Sequence, residues 1–399
     1  MKNSKRKKAR RAQQRAMRRA AKRRQNATGR VVAPMVEQAV GQPKPSAPRA
    51  TPDRASPSHL GATLLANANA LRNPSFPERR TTPFLPPIVE VVRQCLQAVL
   101  PPKNVQVPLI LPDLRMFDSV ALYTDFSGDG DKSGYSTYGF LLCAYQPQPF
   151  ESRMDEIRRR YGIVGREISY KNLNQQAGIR RALGPYLRAV DNLVPGLLCT
   201  ICVPDEVEGL ILGRVDEDDE LHRELDGMTP AKHKLWKRKV MQKALRVFHV
   251  ASYMLALLGR DRQKVFWMTD HDAIMANAEL SRLATAVFYS LLEDYCSFEL
   301  GKFGWAFPFK DRSNMVHHDL LSAVDLAAGG VARHVGERAG ADTVRKECTD
   351  LIETWFGTSG IGCRKLNILI SPGADPTELS ASVMADTDPK GRTRVPLHL

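Results

Sequence analysis

The chain has 399 residues, 43% of them hydrophobic, which suits one large domain with appendages or two domains. Its formal charge is +15, but residues 1–30 hold 14 Lys and Arg and no acid, so the other 369 residues carry only +1. The basicity belongs to an arm suited to phosphate or another acidic surface. No run approaches the ~20 apolar residues of a membrane helix, and no apolar segment follows the basic start as in a secretory leader.

Fourteen like charges cannot pack, so residues 1–30 read as a disordered arm with Lys5, Arg6, Lys7, Lys8, Arg10, Arg11, Arg15, Arg18, Arg19, Lys22, Arg23 and Arg24 as nucleic-acid contacts. Residues 31–85 have the Pro, Ala and Ser content of a linker, with room for a short helix over Ala62–Leu71. An ordered domain is expected over 86–372.

That domain opens on a helix, since Ile88, Val91, Val92, Cys95, Leu96 and Val99 recur at helical spacing before Pro101 and Pro102. Strands at Ser119–Asp125 and Tyr138–Tyr145 flank the Gly- and Asp-rich SGDGDKSG and read as an antiparallel hairpin. A helix over Phe150–Tyr161, an extended Glu167–Lys171, a helix over Gln176–Val190 and a strand over Gly196–Val203 follow. Residues 205–226 form an acidic insertion. Beyond it come a helix over Ala231–Leu258, a strand over Lys264–Thr269 and a helix over Ala273–Tyr295. Short strands at Ser297–Leu300 and Trp305–Pro308, helices at Asp319–His334 and Thr343–Trp355, and a strand at Arg364–Ile370 complete the domain. Residues 373–399 read as a loose polar tail. Strands alternating with helices after an opening hairpin indicate an α/β domain with a mixed sheet.

Cys95, Cys143, Cys199, Cys202, Cys296, Cys348 and Cys363 are odd in number and mostly in apolar runs, which suits reduced thiols in a cytoplasm. Cys199 and Cys202 form a C-x-x-C, but within an apolar strand and without a second ligand pair, so core packing is the better reading than zinc.

Four acids stand out. Asp125 lies where an apolar strand ends, and can project into a cleft or simply open a turn. An EF-hand fails here because its twelfth position is Phe140, and no phosphate-binding G-x-x-x-x-G-K-[ST] is present. Glu167, Ser169 and Lys171 would share one face of an extended segment, as a metal and phosphate group or a surface ion pair. Asp270 closes VFWMTD, with Asp272 its rival and His271 ambiguous between them. Asp325 sits in a helix apolar on nearly every side, where an isolated carboxylate is costly unless paired or metal-bound. The small residues Ala323, Ala327, Ala328, Gly329 and Gly330 would let that helix approach a sheet, and Asp319 reads as its N-cap. Carboxylates from strands and a helix converging on one cleft are what two Mg²⁺ or Mn²⁺ ions roughly 4 Å apart require.

At these residues the sequence resembles the bacterial family known as domain of unknown function 3800, itself similar in fold to ribonuclease H-like nucleases. The family opens on a strand ending in Asp-x-Ser-Gly-Asp, matched by Asp125-Phe126-Ser127-Gly128-Asp129, with Phe126 where Glu is usual. Its mid-chain Glu-x-x-Lys is similar to Glu167 and Lys171, one residue wider here. Met268-Thr269-Asp270 and Val324-Asp325-Leu326-Ala327 are similar to its later strand and helix motifs, and the likeness spans about residues 118–335.

The combined expectation is an RNase H-like mixed sheet flanked by helices. It would be a metal-dependent nuclease acting on DNA or RNA, with Asp125 bridging two ions and Glu167, Asp270 and Asp325 completing their oxygen coordination. Lys171 would neutralise phosphate, and products would end in 5′-phosphate and 3′-hydroxyl groups. A non-catalytic nucleic-acid-binding or assembly protein acting through its arm, and a polynucleotidyl transferase, are the alternatives.

Overall fold

The computed structural model describes residues 74–82, 84–100, 109–127, 134–145, 147–173, 176–205, 236–270, 272–308, 314–338, 348–357, 360–372, 379–385 and 393–396, with single residues such as Leu71, Val207, Leu225, Arg312 and Gly340. The basic arm, the Ala62–Leu71 helix except Leu71, most of the acidic insertion, Asp129 and His271 lie outside the described residues.

Among the described residues, eight strands form one sheet: β1 (Ser119–Ser127), β2 (Tyr135–Ala144), β3 (Gly196–Pro204), β4 (Lys264–Thr269), β5 (Lys302–Ala306), β6 (Cys363–Pro372), β7 (Leu379–Ala385) and β8 (Thr393–Pro396), in the order β5-β4-β1-β2-β3-β6-β7-β8. β1, β2 and β3 form an antiparallel meander, while β4 joins β1, β5 joins β4 and β6 joins β3 in parallel. β7 and β8 continue antiparallel from β6, so β1, β3, β4, β5, β6 and β8 run one way and end on one edge, here the carboxyl edge.

Helices cover both faces. On one lie α1 (Pro87–Val99), α4 (Arg238–Leu258) and α5 (Ala278–Tyr295); on the other α2 (Gln148–Tyr161), α3 (Ala177–Leu193), α6 (Val316–Arg338) and α7 (Thr349–Phe356). Val120 and Leu122 of β1 enter the first core, Ala121 and Tyr123 the second, so the strand is apolar at consecutive positions. α6 packs over β1 and β2 beneath α2, α3 and α7, which is why its sequence is apolar nearly all round.

The expected hairpin forms, pairing Val120 with Ala144 through to Ser127 with Thr137. Cys199 and Cys202 point into opposite cores of β3, so they cannot share an ion; all seven cysteines are free. No helix among the described residues is long and apolar enough to cross a membrane.

Several expectations are corrected. Residues 373–399 supply β7, which pairs antiparallel onto β6, and β8, which pairs antiparallel onto β7. The end of the linker is bound: Arg79 Nε and the Thr81 N–H donate to the Asp294 carboxylate at 2.6 and 2.7 Å. No strand forms at Ser297–Leu300. The helix drawn from Ala273 is broken, because Asp272 caps a short 3-10 turn over Ala273–Met275 and Asn277 then caps α5 by accepting from the Glu279 and Leu280 N–H groups. Glu167–Lys171 is extended only as far as Ser169, since Tyr170–Asn172 winds into a 3-10 turn.

Candidate functional site

Asp125 and Asp270 reach the carboxyl edge from neighbouring strands. β1 and β4 are in parallel register with Thr124 opposite Thr269, so the next residues along are Asp125 and Asp270. Tyr123 and Met268 face the core beneath α6, and strand alternation turns Asp125 and Asp270 to that same side.

Asp325 comes down to them on α6. Gly139 of β2, paired with Asp125, makes room: a Cβ there would lie 2.6 Å from Val324 Cγ1 and 3.3 Å from the Asp125 carbonyl oxygen. A second glycine sets the other side of the cleft. A Cβ on Gly329 would lie 2.7 Å from the Tyr170 ring. That closeness lets the Tyr170 N–H donate to Asp325 Oδ2 at 2.6 Å. The small helix residues expected against a sheet divide: Ala328 meets Gly139 of β2, whereas Gly329 meets the Tyr170 turn and Gly330 meets Ile352 and Phe356 of α7.

The charges interact. Burial first, then the charge of Asp325, raises the Asp125 carboxyl well above the usual carboxylate range; Asp270 adds to this, and the Phe126 N–H, donating to Oδ1 at 2.8 Å, opposes it. Burial also raises Asp325, against the Tyr170 N–H; Glu167 and Asp270 push it further up and Lys171 pulls it down. Both aspartates keep a solvent-facing part and so are not sealed in the core, while Asp270 and Lys171 are exposed. Like-charged carboxylates within such a cleft resist ionising together. Among the described residues, no three His, Cys, Asp or Glu side chains are drawn together closely enough to hold an ion as they stand.

Glu167 stands at the rim, its Oε2 3.6 Å from Nη1 of Arg312. Its loop is held from behind. Buried Arg158 donates to the Ile163 and Arg166 carbonyl oxygens at 3.1 and 2.6 Å and pairs with Asp319. Asp319 is therefore the buried partner of Arg158, not an N-cap; α6 starts at Val316, whose N–H donates to Asn314 Oδ1 at 3.0 Å. Asp272 is likewise occupied, accepting from the Ile274 N–H at 3.0 Å and from Lys243 Nζ at 2.8 Å.

The five expected site residues are thus electrostatic neighbours, while the arm residues Lys5 to Arg24 lie outside the described residues. Gly139, Arg158 and Arg312 are additions to the sequence reading. A lone Gly within the strand TYGFLL signals close approach, and Arg158 follows Met154 by one helical turn on the buried face of α2. Nothing in the sequence singles out Arg312. No protein-family model, curated protein or solved structure matches the chain.

Proposed function

We propose that the chain is a divalent-metal-dependent nuclease built on an RNase H-like core, related to the family its motifs resemble. The observation that carries this reading is the mutual electrostatic contact of Asp125, Asp270 and Asp325, delivered by two adjacent parallel strand ends and one facing helix. The opening antiparallel meander, extended by parallel strands and covered by helices on both faces, is the mixed sheet that the reading calls for.

The donor set fits a hard cation. Asp125 and Asp325 offer carboxylate oxygens raised toward protonation by burial and like charge, and a cation would relieve both. Asp125, Asp270 and Asp325 would hold Mg²⁺ or Mn²⁺, with Glu167 joining from the rim. Two such ions would supply the charge that acidifies an attacking water and stabilises the leaving 3′-oxygen. The chain's own residues do the rest. The Tyr170 and Phe126 N–H groups fix the carboxylate orientations. Lys171 and Arg312, exposed at the rim, would meet phosphate oxygens of DNA or RNA.

The test is cleavage of labelled DNA and RNA, single- and double-stranded, by the full chain with Mg²⁺, Mn²⁺ or chelator. Metal-dependent products with 5′-phosphate ends, lost in Asp125→Asn, are the expected result. Joined strands in place of cut ones would favour a transferase. Intact substrate in every arm would leave a binding protein acting through its basic arm.

A further inference from the structure

We propose that the start of α4, through Lys237, Arg238 and Lys239, is a second phosphate-backbone contact of the folded domain, so that a nucleic acid crosses the carboxyl edge from the Arg166, Lys171 and Arg312 side over the acids to α4. This rests on the nuclease reading above. It adds a contact distinct from the basic arm.

Topology places this patch beside the site. α4 leads from β3, which ends on the carboxyl edge, back to the start of β4, so its first turn stands at the edge where Asp125 and Asp270 sit. Side chains bind that turn to the acids' immediate neighbours. Trp236 Nε1 donates to the Ile274 carbonyl oxygen at 3.0 Å, and Lys243 reaches both Asp272 and the Phe126 ring, 4.6 Å from its centroid. Phe126 follows Asp125, and Asp272 stands two residues after Asp270. The patch is therefore held to the same short segments that carry the acids.

Charge supports the assignment. Beyond residue 30 the chain carries a net of only +1, so three consecutive cations are a local concentration rather than a general excess. All three are exposed, and no ion pair of Lys237 or Lys239 falls among the described residues. Arg166 and Lys171 are exposed on the opposite side of the acids, with Arg312 against Glu167. Cations on both flanks of a carboxylate cleft suit a polyanion whose backbone extends both ways from the reacting phosphate.

The experiment measures binding of the full chain to a fluorescein-labelled DNA duplex in chelator, across a salt series. Lys237→Ala/Lys239→Ala is compared with Lys264→Ala/Lys302→Ala, which removes equal charge from exposed positions where β4 and β5 begin, on the opposite edge. The α4 variant should lower the slope of log affinity against log salt by about 2, and weaken binding roughly tens-fold at about 0.1 M salt, while the control stays near wild type. Equal losses in both variants, or no loss in either, would overturn the patch. Cleavage by the wild type is scored separately. A cleaving protein whose α4 variant binds as wild type does loses the patch and keeps the nuclease reading; a patch-dependent slope without cleavage does the reverse.

Discussion

Two aspartates six residues apart on α6 have opposite solutions to burial. Asp319 lies against Arg158, with side chains 1% and 4% exposed; burial pushes its carboxyl up to about 6 and the guanidinium pulls the other way. Asp325 has a backbone N–H and the more distant Lys171, and it faces Asp125, Asp270 and Glu167. The first turn of the helix encloses its own counterion. Less than two turns on, like charges gather where Asp125 and Asp325 are still partly exposed, an arrangement that suits an external cation better than it suits stability.

The largest effect should come from breaking the enclosed pair. Arg158→Ala leaves Asp319 buried without its cation and should cost about 3–5 kcal/mol in denaturant unfolding, whereas Arg158→Met with Asp319→Leu should recover most of that. A double variant as unstable as the single one would mean that Arg158 acts chiefly through the Ile163 and Arg166 carbonyl groups. Gly139→Val is next. Its side chain would meet Val324 and the Asp125 backbone, so a loss of about 1–3 kcal/mol is expected, along with weaker cleavage as α6 is pushed off the sheet.

The opposite sign is expected at Asp125. Its folded carboxyl is raised above its unfolded value, so the stability tied to its neutral form is present below about pH 4 and lost as pH rises through the folded value. Asn has nothing to ionise. Metal-free Asp125→Asn should therefore melt about 2–4 °C above wild type at neutral pH, with the gap closing in acid. A variant that melts lower at neutral pH would remove the like-charge account. The smallest effect belongs to Asp272→Asn, which loses part of an ion pair but keeps an oxygen for the cap. It should cost under about 1 kcal/mol by thermal unfolding and leave cleavage within a few-fold, because Asp272 serves the turn and Lys243.

Asp125, Asp270 and Asp325 were legible because each ends or interrupts an apolar element, where a carboxylate has little reason to be unless it is used; Glu167 carries no such signal. Strand ends were legible for the same reason: β4 runs over Lys264–Thr269 as its apolar pattern indicates. What escaped was set by tertiary contacts. The Tyr170–Asn172 turn is fixed by Asp325 and Gly329, which are distant in sequence. β7 and β8 sit in a polar stretch that passes for a tail; β7 gains its order by pairing onto β6, with Ala381 and Val383 buried, and β8 pairs onto β7. Asp319 looked like a cap because its partner is 161 residues away, and the helical spacing of Arg158 from Met154 marks a buried arginine without saying which acid it meets.

If Asp125 and Asp325 hold a cation as proposed, the full chain binds Mn²⁺ directly at neutral pH, read from the loss of the free-ion electron paramagnetic resonance signal. Wild type should take up Mn²⁺ and melt higher with it, while Asp125→Asn, folded by circular dichroism, should bind at least roughly ten-fold more weakly. Equal uptake by the two proteins, or none by wild type, would contradict the account.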